Sequence, residues 1–192
     1  MKDPFDLFAQ WFKAAQRCKA IPDATAMCLS TLGTDGFPDA RMVLLKEFDE
    51  RGFVFYTNLN SVKGRALDKT PKAALTFHWA PLEQQIRIQG KTERVSKEDA
   101  DAYWKTRARL SQLGAWASKQ SEPLSTRAIL VKDVAKLALK YGTGPISRPS
   151  FWTGVRVIPR KIEFWQGQPN RLHDRVLYTK TSHGWSVTRL YP

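Results

Sequence analysis

Apolar side chains at Phe5, Phe8, Phe12 and Ala15 recur at helical spacing, with Leu7 and Trp11 widening the stripe, so an amphipathic helix is expected over residues 4 to 19. The period then shortens. Residues 26 to 32 read as a strand, Thr34-Asp35-Gly36-Phe37-Pro38 as a turn, and 40 to 47 as a second strand. Asp49-Glu50-Arg51-Gly52 turns the chain into Phe53-Val54-Phe55-Tyr56-Thr57. Ser61 is placed to cap a short helix through Asp68, and strand character returns at 73 to 78 and 84 to 94. Ser96-Lys97-Glu98-Asp99, a capping box with Asp in the Glu position, opens a helix through Tyr103 and Trp104. A further helix is expected at 131 to 141, stopped by Tyr141-Gly142-Thr143-Gly144-Pro145, with final strands at 151 to 158, 161 to 166, 175 to 178 and 185 to 190. Short strands joined by turns, without regular alternation of strand and long helix, predict a mostly antiparallel barrel with helices at its rim. No repeat or low-complexity linker divides the sequence, so residues 1 to 192 read as one domain.

Composition narrows the setting. With 42% apolar and 11% aromatic residues, 192 residues can bury a sizeable core. No run of about 18 apolar residues marks a membrane span, and the opening Met1-Lys2-Asp3-Pro4 lacks the apolar stretch of a signal peptide, so a cytoplasmic location is expected. Cys18 and Cys28 have no Cys-x-x-Cys spacing or neighbouring His, and His78, His173 and His183 are dispersed, so neither a disulfide framework nor a metal centre is indicated. The net charge of +13 favours nucleic acid, anionic lipid and phosphorylated ligands alike. Its distribution decides between them. The cations are scattered, and no block of about five or six basics marks a nucleic-acid arm.

Phosphorylated aromatic ligands fit several segments better. Arg41-Met42-Val43-Leu44-Leu45-Lys46 is a strand-like run with a cation at each end, which can reach different parts of one ligand; a solvated edge strand would look the same. Tyr56-Thr57-Asn58-Leu59-Asn60-Ser61-Val62-Lys63-Gly64-Arg65 runs from a strand end into a helix start, gathering hydroxyls, amides and cations suited to phosphate, although plain helix caps share that composition. Tyr103, Arg107 and Ser111 are spaced by four, and Trp116 precedes Lys119-Gln120-Ser121. Residues 163 to 175 place Arg171, His173 and Arg175 just after the aromatic run at Phe164-Trp165. No glycine-rich nucleotide motif or nucleophile elbow occurs, so these cations, amides and hydroxyls suit a cofactor that brings its own chemistry.

Taken in order, Arg41 to Lys46, Phe55-Tyr56-Thr57-Asn58, Gly114 to Ser121, Pro149-Ser150-Phe151-Trp152, Ile162-Glu163-Phe164-Trp165 and Arg171-Leu172-His173-Asp174-Arg175 closely resemble the pyridoxamine 5'-phosphate oxidase family, from Pro4 to Pro192. The resemblance implies a mainly β fold with attached helices, an antiparallel Greek-key split barrel that dimerises with two FMN molecules at the subunit interface. By it, Arg41, Lys46, Tyr56, Thr57, Lys63 and Gln85, with the intervening Met42, Val43, Leu44 and Leu45, look like FMN contacts from one subunit. Gln120, Ser121, Trp165 and Arg175 look like contacts from the other. Tyr103, Arg107 and Ser111 match the substrate-phosphate residues, Lys46 lies near substrate, and Arg171 and His173 match the catalytic group facing the pyridine ring. The implied activity is oxidation of pyridoxamine 5'-phosphate and pyridoxine 5'-phosphate by dioxygen to pyridoxal 5'-phosphate, with hydrogen peroxide formed. A related flavin oxidase acting on another ring, and a non-enzymatic FMN or pyridoxal-phosphate carrier, are the alternatives. Two departures stand out: Val62 replaces a polar or basic residue beside the phosphate-binding lysine, and family members usually carry a longer segment ahead of Pro4-Phe5 that folds over substrate.

Overall fold

Asp3 starts the first helix: its carboxylate accepts the Phe5 N–H at 2.8 Å, and α1 runs Pro4–Arg17, two residues short of the expected end because Cys18 turns to an extended conformation. The computed structural model describes residues 3–192; Met1 and Lys2, counted above in the opening segment, lie outside the described residues. The apolar stripe of α1 packs on the sheet. Phe8 is fully buried, edge-on to Phe48 and Phe53 at 4.8 Å and to Phe77 at 5.3 Å.

The strands are β1 (Ala26–Leu32), β2 (Pro38–Leu44), β3 (Glu47–Asp49), β4 (Gly52–Asn58), β5 (Lys72–Trp79), β6 (Gln84–Arg94), β7 (Trp152–Gln166), β8 (Asp174–Thr181) and β9 (Gly184–Leu190). Each pairing is antiparallel, in the order β2-β1-β5-β6-β7-β4-β3, with β8 on β7 and β9 on β8. Alternation sends Met27 and Leu29, Leu75 and Phe77, and Ile86 and Ile88 to one buried face. With β6 along one edge of β7, β4 takes residues 152 to 157 of the other edge and β8 takes 161 to 166. This division splits the barrel.

Two strand expectations change. The stretches 151 to 158 and 161 to 166 form one strand, because the missing N–H of Pro159 is absorbed opposite a register shift at Gln89/Gly90. A Cβ on Gly90 would lie 1.9 Å from the Ile158 carbonyl oxygen, so only glycine fits. The second strand ends at Leu44 and not at 47. Leu45 donates its N–H to Thr25 O at 2.9 Å and buries its side chain, and Lys46 donates to Val54 O at 2.9 Å, which carries the chain across to β4.

Four helices frame the other side. In α2 (Val62–Lys69) and α3 (Lys97–Thr106), Ser61 and Ser96 accept from Gly64 and Asp99 at 3.2 and 3.0 Å, as their cap positions predict. The short α4 (Arg109–Ala117) was not expected: Ala108 caps it without a side-chain bond. Helix α5 (Arg127–Tyr141) begins ahead of the expected 131. A second core of Trp104, Leu113, Ile146 and Trp152 joins α3, α4 and the start of β7, fastened by Trp104 Nε1 donating to Ile146 O at 2.7 Å. Among the described residues no helix is long and apolar enough to cross a membrane, and no group of three or more His, Cys, Asp or Glu is arranged to hold a metal ion.

Candidate active site

A cavity of about 460 Å³ lies where β2, β4 and the starts of α2 and β7 meet α3 and α4. Lys46, Lys63 and Arg107 line it, and no carboxylate does among the described residues. Its electrostatics therefore favour an anion. Lys63 stands in the first turn of α2 and donates to Gln120 Oε1 at 3.1 Å. A Cβ on the next residue, Gly64, would lie 2.2 Å from Leu59 O, so glycine allows the approach that places Lys63. Burial, then the charge of Arg41, holds the Lys63 ammonium below its ordinary pKa, a cost that an anionic partner would relieve.

Arg107 is set by a break in the chain. It ends α3 in an extended conformation (φ −71°, ψ 141°), so Tyr103, Arg107 and Ser111 do not share one helix, yet all three line the cavity. Its guanidinium lies over Trp152 at 4.7 Å, and Nη2 donates to Ser111 O at 3.1 Å. Nε is buried and has no hydrogen-bond partner among the described residues. Burial also pushes the Arg107 pKa down. A buried donor without an acceptor is costly, and an oxyanion at this point would satisfy it. Tyr56 packs against both Tyr103 and Trp152, with ring centroids 4.0 and 5.0 Å away, and donates its hydroxyl to Glu47 at 3.1 Å. Burial, then the Glu47 charge, raises its pKa far above the ordinary range, so the hydroxyl stays protonated.

The other candidates gather at the far end of β7. Trp165 pairs with Gln85 on β6 and with Arg175 on β8. The His173 ring lies 4.6 Å from that of Trp165, and Gln168 N–H donates to its Nδ1 at 3.1 Å, leaving Nε2 to carry the N–H of the neutral ring. Arg171 is exposed in the left-handed region (φ 62°), as is Asn170 before it (φ 58°). Such backbone is uncommon outside glycine and concentrates at functional positions. From Trp152 to Trp165, β7 spans about 40 Å of extended chain at roughly 3.3 Å per residue. One chain thus holds two separate parts of the expected site.

Within one chain, Gln120 and Gln85 each lie beside residues of the other expected group. Gln120, assigned with Trp165 and Arg175, is in the cavity bonded to Lys63, while Gln85, assigned with Lys63, lies beside Trp165. Strand register decides the second case and the loop after α4 the first. Met42, Val43, Leu44, Lys46, Tyr56 and Thr57 line the cavity as a group. Arg41 and Leu45 do not. The Arg41 guanidinium turns to Thr31 Oγ1 at 2.7 Å and pairs with the Asp39 carboxylate, and the Leu45 side chain is in the core. Ser121 lies in an adjoining groove with positive φ (74°). Trp152 was missed as a site residue, although its motif was visible; only the fold shows it beneath Arg107.

The family model described as pyridoxamine 5'-phosphate oxidase matches residues 14–141, and that of the pyridoxine 5'-phosphate oxidase C-terminal dimerisation region matches residues 152–192. A curated relative in Caulobacter vibrioides, named pyridoxine/pyridoxamine 5'-phosphate oxidase, is 52% identical over 100% of this chain and 86% of its own length. Another of that name in Azorhizobium caulinodans is 53% identical over 99% of this chain and 90% of its own. Among solved structures, PhzG from Burkholderia lata 383, in complex with tetrahydrophenazine-1-carboxylic acid, superposes with TM-score 0.92 at 30% identity, covering 100% of this chain and 94% of that one. An FMN-binding protein related to pyridoxamine 5'-phosphate oxidase from Nostoc punctiforme shares the fold, with TM-score 0.78 at 17% identity over 100% of both chains.

Proposed function

This chain belongs to the pyridoxamine 5'-phosphate oxidase family, and on that premise we propose that it binds FMN and oxidises pyridoxamine 5'-phosphate and pyridoxine 5'-phosphate to pyridoxal 5'-phosphate, with dioxygen reduced to hydrogen peroxide. The observation that carries the reading is the carboxylate-free cavity, in which the orphaned Arg107 Nε stands beside Tyr103 and Ser111 while Lys46 and Lys63 supply further positive charge. FMN, when bound, supplies the hydride acceptor. Lys63, Gln120, Tyr56 and Thr57 hold it, and Tyr103, Arg107 and Ser111 hold the substrate phosphate. Arg171 and His173 orient the substrate ring, with His173 Nε2–H as donor. The protein's contribution is alignment and charge complementarity.

The same reading includes a homodimer acting as one split-barrel unit per chain. Cavity and Trp165 cluster sit at opposite ends of β7, so a two-fold partner can bring its cluster to this chain's cavity; the match of residues 152–192 to a dimerisation region supports that arrangement. A cytoplasmic setting belongs to the proposal and accords with the unbridged Cys18 and Cys28.

The likeness to PhzG favours, as second reading, a flavin oxidase acting on a tricyclic ring. Tyr103, Arg107 and Ser111 favour a phosphorylated substrate instead. Purified protein with FMN should convert each B6 phosphate into pyridoxal phosphate with one peroxide per turnover. FMN binding without peroxide would indicate a carrier; oxidation of a tricycle but of neither B6 phosphate would indicate the second reading. FMN should also bind far more tightly than riboflavin, which lacks charge-assisted phosphate bonds. Equal dissociation constants would reject the phosphate role of the cavity.

A further inference from the structure

We propose that Glu163 is a positioning residue that fixes the guanidinium plane of Arg175 for the flavin; the inference rests on the reading that Arg175 contacts FMN. Glu163 lies on the face of β7 shared with Trp165, opposite the core residues Ile162 and Phe164. A carboxylate there has no part in the core, yet it is only 8% exposed. Two arginines enclose it. Arg87, its neighbour on β6, donates Nη1 to Oε2 at 3.3 Å, while Arg175 brings Nε and Nη2 to Oε1 at 2.9 and 2.8 Å. Arg175 Nη1 also donates to Tyr191 O at 2.9 Å.

A guanidinium carries five N–H donors in a rigid plane. Glu163 takes one from Nε and Tyr191 takes one from Nη1, while Nη2 stands in ion-pair contact with Glu163, so one N–H of Nη1 and those of Nη2 remain for a ligand. Three anchors on one planar group fix its orientation as well as its position. The carboxylate also separates two cations on neighbouring strands. Without it, Arg87 and Arg175 would repel each other and Arg175 would lose two of its three anchors.

The test uses the FMN-loaded protein and four variants: Glu163→Ala, Glu163→Asp, Arg175→Ala, and Glu163→Ala with Arg175→Ala. FMN dissociation constants and the visible flavin spectrum are measured for each. Glu163→Ala should weaken FMN binding by about tenfold or more and shift the flavin bands, and in the Arg175→Ala background it should add less than about twofold, because contacting residues acting through one another are not additive. Glu163→Asp keeps the charge and the fold but withdraws the carboxylate by one methylene, and should weaken binding by about fivefold. Wild-type affinity and spectrum in Glu163→Ala or Glu163→Asp, where Arg175→Ala binds poorly, would overturn the positioning role alone. So would losses that multiply in the double variant. Failure of the unaltered protein to bind FMN would instead overturn the functional reading, and this inference with it.

Discussion

Lys63 carries two opposed pH dependences. Burial holds its pKa below the ordinary lysine value, so the unfolded chain binds its proton more readily, and this group's contribution to stability without ligand grows as pH rises through the lowered value. Phosphate binding needs the charge and must run the other way. FMN affinity should fall on the alkaline side, earlier than an exposed lysine would dictate, and Lys63→Arg should flatten the fall; a fluorescence titration from neutral to alkaline pH checks both. Arg171 allows a sharper test of chemistry. It is exposed, so Arg171→Ala should leave FMN absorbance and dimerisation intact, but kcat/KM for pyridoxamine 5'-phosphate should drop by about 100-fold or more if the side chain aligns substrate. His173→Ala should lose less, since water can replace one hydrogen bond. Near-normal steady-state kinetics for Arg171→Ala would remove it from the site.

Among the elements, α2 is the most exposed to a small change. Its first turn lies so close to Leu59 that Gly64→Ala must displace backbone. We expect a loss of about 1 to 3 kcal/mol in denaturant unfolding from overpacking, together with weaker FMN binding because Lys63 moves with the turn. Unchanged affinity would show that the turn absorbs the shift elsewhere. Such close approaches are not written in periodicity, whereas the elements themselves largely are. The α1 stripe, the strands at 26 to 32 and 84 to 94, and the Ser61 and Ser96 caps were legible because each depends on neighbours in sequence. The run of β7 across Pro159 was not, since its bulge partner Gly90 is remote in sequence. Nor was α4, which lacks a side-chain cap. The cavity followed the same rule: Tyr56, Thr57 and Lys63 are local to one strand-to-helix junction, but Trp152 under Arg107, Gln85 beside Trp165 and Gln120 beside Lys63 depend on register and packing.

At the scale of the whole molecule, cofactor and assembly should be linked. If FMN spans two protomers, it binds the dimer more tightly than the monomer and must strengthen the dimer by the same factor. Sedimentation of the apoprotein under dilution should show dissociation that FMN suppresses; a monomer that binds FMN with full affinity would exclude a shared site. The length of β7 carries this further, into the behaviour of mixed populations. A chain disabled in its cavity by Lys63→Ala and a chain disabled at the far end by Arg175→Ala would each be nearly inactive as pure dimers. Unfolded together and refolded, about half of the dimers should be hybrids, each with one doubly damaged site and one undamaged site. Two inactive preparations should then recover about one quarter of normal turnover, a complementation that arises only if each working site draws the two ends of this strand from different chains.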